Sequence, residues 1–196
     1  MIRLCTMVAA LTAAAPAQAQ TCPTRTDLGE GVQLVRDDPF FSVVFKAIPE
    51  GLAEARVMDR DGQPQAVDTT YRHALAVSTR LANGGTLSVD YQDDPAILDT
   101  LPALRSWSTA VTLFQDGAQF TQGTYSAKIT GFGSAQIGGC TYDVWRVRDL
   151  LTLDNGAEIA FEKSYAPDLG LVVGSIQFDP AGQPTGSVFF DRIAAE

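Results

Sequence analysis

Apolar and polar residues alternate along most of the chain with a period of two, which is typical of β-strands. Clear examples are Phe40–Ile48 and Trp107–Phe114. The 3.6-residue period of a helix is nearly absent from the sequence. One short helix is predicted from Pro95 to about Leu101, because Asp94 can cap its first turn and proline fits its first position. The pattern therefore predicts an all-β fold with one short helix.

The stretch from Gly138 to Phe178 contains three strand-like segments separated by turn signals. The loop at Asp154–Gly156 decides which residues of this stretch share a face. A two-residue loop would place Leu151 opposite Ala160 and leave both faces mixed, whereas a three-residue loop places Leu151 opposite Ile159. We favour the three-residue loop, closed by a left-handed glycine. It collects these apolar residues on one face: Val147, Leu151, Leu153, Ala157, Ile159 and Phe161.

Two charged residues interrupt that apolar face near the open end of the hairpin. In the favoured register, Asp149 and Lys163 are diagonal neighbours on adjacent strands. Side chains in this arrangement can form a cross-strand ion pair. We therefore predict that Asp149 and Lys163 pair with each other at the margin of the sheet.

A second hairpin is predicted between the segments Ala74–Ala82 and Thr86–Tyr91. The same sorting of apolar residues favours a three-residue loop at residues 83–85, which pairs Leu81 with Leu87. This register also pairs Thr79 with Val89 and Val77 with Tyr91.

The remaining segments complete a succession of strands that ends at Ser187–Ile193. Three glycines in the long segment Ala118–Ile137 suit bulges or bends: Gly123, Gly131 and Gly133. Consecutive strands joined by tight turns form an antiparallel meander. The predicted architecture is a strongly curved antiparallel meander sheet or an incomplete β-barrel.

The N-terminus has the pattern of a signal peptide over Met1–Ala19. Arg3 supplies the positive charge, an apolar run follows it, and Ala17-Gln18-Ala19 is a small-x-small cleavage site. The apolar run is too short to span a bilayer. Cleavage near Ala19 would leave residues 20–196 as one β domain of about 177 residues. We expect an exported protein that is periplasmic or secreted.

Cysteine usage agrees with export. Cleavage removes Cys5 and leaves Cys22 and Cys140. A single widely separated pair in an oxidising compartment is typical of a structural disulfide. A redox or nucleophilic cysteine is the alternative, but the sequence has no C-x-x-C spacing. Thr21 precedes Cys22 at the position where a lipoprotein has a smaller residue, so the pattern does not favour a lipoprotein.

Composition argues against several classes of partner. The net charge is -9, and removal of Arg3 would make it -10. An acidic chain without a basic cluster is poorly suited to nucleic acid or to anionic membrane surfaces. The glycines around Phe132 lead into strand-like sequence rather than a helix, so they do not form a phosphate loop. No cofactor is predicted.

Candidate catalytic and metal-binding residues are few. His73 is the only histidine, which excludes a multi-histidine metal site within one chain. It could act in a Ser-His-Asp arrangement, but no G-x-S-x-G context marks a nucleophile. A structural role for His73 is therefore favoured. Four acidic residues could ligate calcium but lack the EF-hand frame, and a solvated acidic loop is favoured for them: Asp90, Asp93, Asp94 and Asp99.

Aromatic residues are the remaining candidates for a binding site. Aromatic side chains on strands most often fill a core. An incomplete barrel, however, has an apolar concave face that is filled, covered or left for a ligand. The predicted ligand-binding residues are Trp107, Tyr142, Trp145, Phe161 and Phe178.

Two resemblances follow from these features. The Ala-rich signal, the frame D-x-x-G-Q-P at Asp59–Pro64 and Asp179–Pro184, and YAPDLGLVV at Tyr165–Val173 resemble uncharacterised secreted β-proteins of Gram-negative bacteria. The strand pattern is also similar to that of the LolA/LolB-type periplasmic lipoprotein carriers. That second resemblance implies an incomplete barrel that holds lipid chains under a helical cover, whereas this sequence has one short helix.

These observations favour a non-enzymatic periplasmic protein that binds a small apolar ligand or an envelope partner through its curved sheet. One alternative is a structural or inhibitor-like envelope module with a packed core and no ligand. Another is a periplasmic hydrolase that uses His73.

Overall fold

The computed structural model describes residues 21–60 and 62–196. In these residues, thirteen β-strands form one antiparallel sheet. They are β1 (Val32–Arg36), β2 (Phe41–Ile48), β3 (Gly51–Arg60), β4 (Gln63–His73), β5 (Ala76–Ala82), β6 (Gly85–Tyr91), β7 (Ser106–Gln115), β8 (Ala118–Ile137), β9 (Cys140–Leu153), β10 (Glu158–Ala166), β11 (Leu171–Phe178), β12 (Pro184–Phe189) and β13 (Arg192–Ala195). The predicted signal peptide, Met1–Ala19, lies outside the described residues.

The sheet is a meander, as predicted. Each strand from β1 to β12 pairs with its neighbours in sequence, while β13 pairs with β1 at the other edge.

The predicted helix is also confirmed. A 3₁₀ helix at Pro95–Thr100 runs directly into the α-helix α1 at Leu101–Leu104. The side chain of Asp94 caps this helical segment by accepting a hydrogen bond from the backbone N–H of Ala96 at 3.0 Å.

The order of the strands shows that the sheet is strongly curved. Strands β12 and β13 lie at opposite edges, yet only Phe190 and Asp191 separate them. A flat sheet of this size would be roughly 55–60 Å wide at ~4.8 Å per strand, whereas three Cα steps span at most about 11 Å. The sheet must therefore curl until its edges approach each other.

Contacts across the two edges agree with this curvature. Arg36 Nη1 donates a hydrogen bond to the carbonyl oxygen of Ser187 in β12 at 3.1 Å. The N–H of Asp191 donates to Val35 in β1 at 2.8 Å. Within the described part of the chain no strand pairing joins β12 to β1 or β13, so the barrel is incomplete.

The turn between β9 and β10 has the predicted form. Gly156 adopts φ of 83°, and the N–H of Leu153 donates to the carbonyl of Ala157 at 2.9 Å. Leu151 pairs with Ile159, as the three-residue loop requires. The prediction that apolar sorting selects this register is confirmed.

The register predicted for the hairpin of β5 and β6 is wrong by one residue. Asn83 and Gly84 both have positive φ, 52° and 76°, and form a two-residue loop. Leu81 consequently pairs with Thr86, and Arg80 pairs with Leu87. Asparagine tolerates the left-handed conformation, so Asn-Gly closes a two-residue turn whose twist matches the strands.

The end of the chain also differs from its prediction. The single strand expected at Ser187–Ile193 is divided between β12 and β13, which belong to opposite edges. Asp191 lies at the crossing, where its carboxylate accepts a hydrogen bond from the N–H of Asp37 at 2.8 Å. Strand β4 was not predicted, because its buried face carries the polar residues Thr69 and His73 as well as Val67, so apolar alternation is weak there.

Buried side chains form two clusters. The first includes Leu34, Val43, Ile137, Tyr142 and Val173. The second includes Leu75, Val111, Ala127, Val147 and Tyr165, together with Leu98 and Leu101 from the helical segment. The helical segment thus covers the second cluster.

The predicted disulfide between Cys22 and Cys140 is confirmed. It ties the segment before β1 to the first residue of β9 across 118 residues of sequence, with the two Cα atoms 5.5 Å apart. The hydroxyl of Tyr142 supports the same attachment by donating to the carbonyl of Pro23 at 3.0 Å. These bonds fix the N-terminal segment against the first buried cluster.

Candidate functional site

A groove of about 350 Å³ lies between strands β2–β5 and strands β10–β12. Two parts of the sheet that are far apart in strand order face each other across it. This arrangement follows from the curvature of the sheet. The apolar lining includes Phe41, Phe45, Val77, Phe161, Val188 and Phe190.

A charged cluster from β3 and β4 forms part of the wall. Glu54 and Arg56 lie two residues apart on β3, so both point to the same face of the sheet. Glu54 is 4% exposed, forms an ion pair with Arg56 and accepts a hydrogen bond from the hydroxyl of Tyr71. The Arg56 guanidinium also lies 5.2 Å from the centre of the Phe41 ring.

These contacts set the protonation of Tyr71. Burial raises the pKa of Tyr71, and the nearby Glu54 carboxylate raises it further. The phenol therefore stays protonated and serves as a hydrogen-bond donor to Glu54. Glu54 is thus paired with a cation and a donor, and adds no uncompensated charge to the groove.

A second ion pair lies behind the groove. Lys163 lines the groove, and its Nζ is 2.5 Å from Asp149 Oδ2. Lys163 also donates to the carbonyl of Leu75 at 3.4 Å, and Tyr125 donates to the same carbonyl at 2.7 Å. The predicted pairing of Asp149 with Lys163 is confirmed.

The predicted position of this pair at the sheet margin is wrong. Asp149 is 4% exposed, because the curvature of the sheet turns this face inward. Burial raises the pKa of Asp149, while the Lys163 ammonium opposes that rise. The pair is therefore a buried one, for which removal of a single partner is costly.

Arg80 supplies the remaining charge of the groove. It lines the groove from β5, its side chain is exposed, and it has no ion-pair partner among the described residues. The positive charge of Arg80 acts on the phenol of Tyr71 and lowers its pKa against the larger effect of burial. The lining thus has one cation in excess of its ion pairs, in a protein with a net charge of -9.

The five aromatic residues predicted to bind a ligand occupy several places. Phe161 lines the groove. Trp107 packs against Tyr125, with ring centres 6.2 Å apart, and Trp145 packs against Tyr165 at 5.2 Å. Two further residues of the five contact other protein groups: Tyr142 donates to Pro23, and Phe178 lies 3.8 Å from the Arg148 guanidinium.

Sequence reasoning did not identify most of the groove residues. Glu54, Arg56, Tyr71 and Arg80 lie on three consecutive strands. Glu54 and Arg56 were a usable signal, because they lie two residues apart among apolar neighbours and therefore place two charges on one face of the strand, where they need partners. Which residues face these side chains across the groove depends on how strongly the whole sheet curves.

His73 is held by protein groups on both sides of its ring. It is 8% exposed, and its Nδ1 accepts a hydrogen bond from the N–H of Leu75 at 3.1 Å. Its Nε2 lies 3.5 Å from Asp99 Oδ1. Burial lowers the pKa of His73, partly opposed by Asp99, so the ring is neutral near pH 7. Within the described residues, no serine hydroxyl forms a hydrogen bond with it.

The acidic residues near the helical segment also have protein partners. Asp94 is the helix cap, Asp93 accepts a hydrogen bond from the Thr109 hydroxyl at 2.8 Å, and Asp99 accepts one from Arg25 at 3.3 Å. In the described ranges, no group of three or more possible ligand residues is placed to hold a metal ion. Every helix in those ranges is too short or too polar to span a bilayer.

Comparison with known proteins gave a likeness in structure. No family model matches the chain, and no curated protein matches it. Among solved structures, an exported protein with a YmcC-like fold from Bacteroides fragilis is similar at a TM-score of 0.40 and 12% identity, over 84% of this chain and 94% of that one. The resemblance to the LolA/LolB-type carriers stays a prediction.

Proposed function

We propose that this protein is a non-enzymatic binding protein of the cell envelope that holds a small apolar ligand in the groove of its curved sheet. The observation that carries the proposal is the groove of about 350 Å³, whose lining combines aromatic and aliphatic side chains with charged and polar ones. Small-molecule sites have volumes from about 300 Å³ upward and are mostly apolar with a few polar groups. Burial of apolar ligand surface would supply the affinity, at roughly 25 cal/mol per Å² before the costs of association.

The proposed location rests on the chain itself. Residues 1–19 have the pattern of a signal peptide, and Cys22 forms a disulfide with Cys140. Disulfides persist in oxidising compartments such as the periplasm. A periplasmic or secreted binding protein is consistent with both features.

In this proposal Phe161 is the one of the five predicted aromatic residues that contacts the ligand. Three aromatic residues that were not predicted also line the groove and contact the ligand: Phe41, Phe45 and Phe190.

A structural module without a ligand is the main alternative. Such a module would fill its interior with side chains. The groove supports the binding protein over such a module, because it leaves apolar surface uncovered between facing walls.

Native mass spectrometry of protein purified gently from its own periplasm tests the proposal. We expect a copurifying small molecule that is lost on denaturation. Val77→Trp, which places an indole in the groove, should abolish the copurifying mass. Val57→Trp is the matched control, since Val57 is 42% exposed on β3 and does not line the groove. Wild-type protein that is bare after gentle purification would count against a ligand.

A further inference from the structure

We infer that the ligand of this groove is an amphipathic anion with a single negatively charged head group beside Arg80 and an apolar body against the aromatic wall. This inference rests on the proposed function and adds the chemical class of the ligand.

The charges of the groove favour a negative head group. Glu54 is paired with Arg56, and Lys163 is paired with Asp149. Arg80 is the cation that these pairs leave uncompensated among the described lining residues. A monovalent anion would complete the pairing, whereas a cationic head group would add a second unpaired positive charge.

An unused hydrogen-bond donor supports the same choice. Arg56 Nε is buried and has no hydrogen-bond acceptor among the described residues. Buried donors without acceptors are rare, because each costs the free energy of its lost hydration. Arg56 lines the groove, but Nε is buried and Glu54 Oε1 of the same ion pair also lacks a hydrogen-bond partner, so a ligand oxygen would reach Nε only through a shift of the Arg56 side chain. A carboxylate or a similar oxyanion supplies such oxygens and also balances Arg80.

The volume of the groove limits the size of the ligand. At ~30 Å³ for each water-sized group, a volume of about 350 Å³ holds on the order of a dozen non-hydrogen atoms. A medium-length alkyl chain with one small head group fits this size. Decanoate is therefore a suitable probe.

Isothermal titration calorimetry with three probes of equal chain length tests the inference. The probes are decanoate, 1-decanol and decylammonium, added to mature protein refolded with its disulfide intact to remove any bound molecule. We expect decanoate to bind about tenfold more tightly than 1-decanol, the effect of one charge-assisted hydrogen bond. Decylammonium should bind most weakly.

Two matched variants locate the effect. Arg80→Gln should weaken decanoate binding about tenfold and leave 1-decanol binding unchanged. Arg72→Gln removes the same charge from an exposed arginine on β4 that does not line the groove, and should change neither. Circular dichroism would establish that both variants fold.

The outcomes separate the two proposals. Equal binding of decanoate and 1-decanol, or decanoate binding that Arg80→Gln leaves unchanged, would overturn the anionic head group while leaving an apolar ligand in place. Failure of all three probes to bind the refolded wild-type protein would count against the proposed binding function itself.

Discussion

Buried charges are the residue-level feature that most constrains this protein. Asp149 and Lys163 lie on the inner face of the sheet, where an unpaired charge loses its hydration without compensation. The curvature that encloses this pair also creates the groove. The pair therefore connects the stability of the interior with the proposed binding site.

Removal of one partner should be much more damaging than removal of both. Lys163→Met leaves Asp149 buried without its cation, and we expect the free energy of unfolding to fall by about 3–5 kcal/mol. The double variant Asp149→Leu with Lys163→Met should recover most of that loss. Urea denaturation would measure both. A single variant as stable as the wild type would show that the pair is hydrated.

His73 should make stability depend on pH. Burial lowers the pKa of His73 in the folded protein below the ordinary value of 6.5, so the unfolded chain takes up a proton first as the pH falls. Its contribution to stability is complete above about pH 6.5 and is lost as the pH falls through the folded pKa.

Replacement of His73 by Asn isolates this effect. Asparagine can still accept the hydrogen bond from the N–H of Leu75, but it does not titrate. We expect the difference in free energy of unfolding between wild type and His73→Asn to shrink as the pH is lowered from about 8 to about 5.5. Urea titrations at several pH values would measure it, and a constant difference would contradict the expected burial.

At the level of elements, the two hairpins show when apolar sorting determines register. In the hairpin of β9 and β10, Ile159 near the turn is 43% exposed, but Val147 and Tyr165 toward the open end are fully buried, so a shift of one residue would turn these two side chains away from the interior. In the hairpin of β5 and β6, Leu81 and Leu87 are both exposed, at 44% and 37%. Without a buried face, the sorting of apolar residues does not determine the register. The preference of Asn83-Gly84 for a two-residue turn determines it instead.

The glycines of β8 allow a matched test of close strand approach. A Cβ added at Gly123 would lie 2.3 Å from the backbone oxygen of Thr152 in β9, whereas one added at Gly131 would meet nothing within 4 Å. Gly123→Ala should therefore cost about 1–3 kcal/mol of stability as overpacking. Gly131→Ala should be close to neutral. Thermal and urea denaturation would measure both, and equal effects would contradict the expected close approach.

At the level of the whole molecule, the disulfide joins the segment before β1 to β9, an inner strand of the sheet. Cys22→Ser should lower the free energy of unfolding by roughly 4–5 kcal/mol in the chain-entropy model, because the bond closes a long loop. Cys140→Ser should have the same effect, and the double variant should add nothing further. Free thiols in the mature protein would contradict the pairing.

The sequence by itself determined most of the strands and their turns, the helix cap and the disulfide, because each follows from local periodicity, local turn chemistry or the single pair of cysteines that the predicted cleavage leaves. It also predicted that Asp149 and Lys163 would pair, since two charges on one strand face are within reach of each other.

Only the tertiary structure decided which strands face each other across the groove, that Asp149 lies in the interior, and that the last segment is divided between the two edges. The physical reason is that local alternation assigns side chains to faces, whereas curvature accumulates over thirteen strands. Phe161 and Lys163 approach the wall formed by β3–β5 because of that accumulated curvature. No short stretch of sequence predicts this approach.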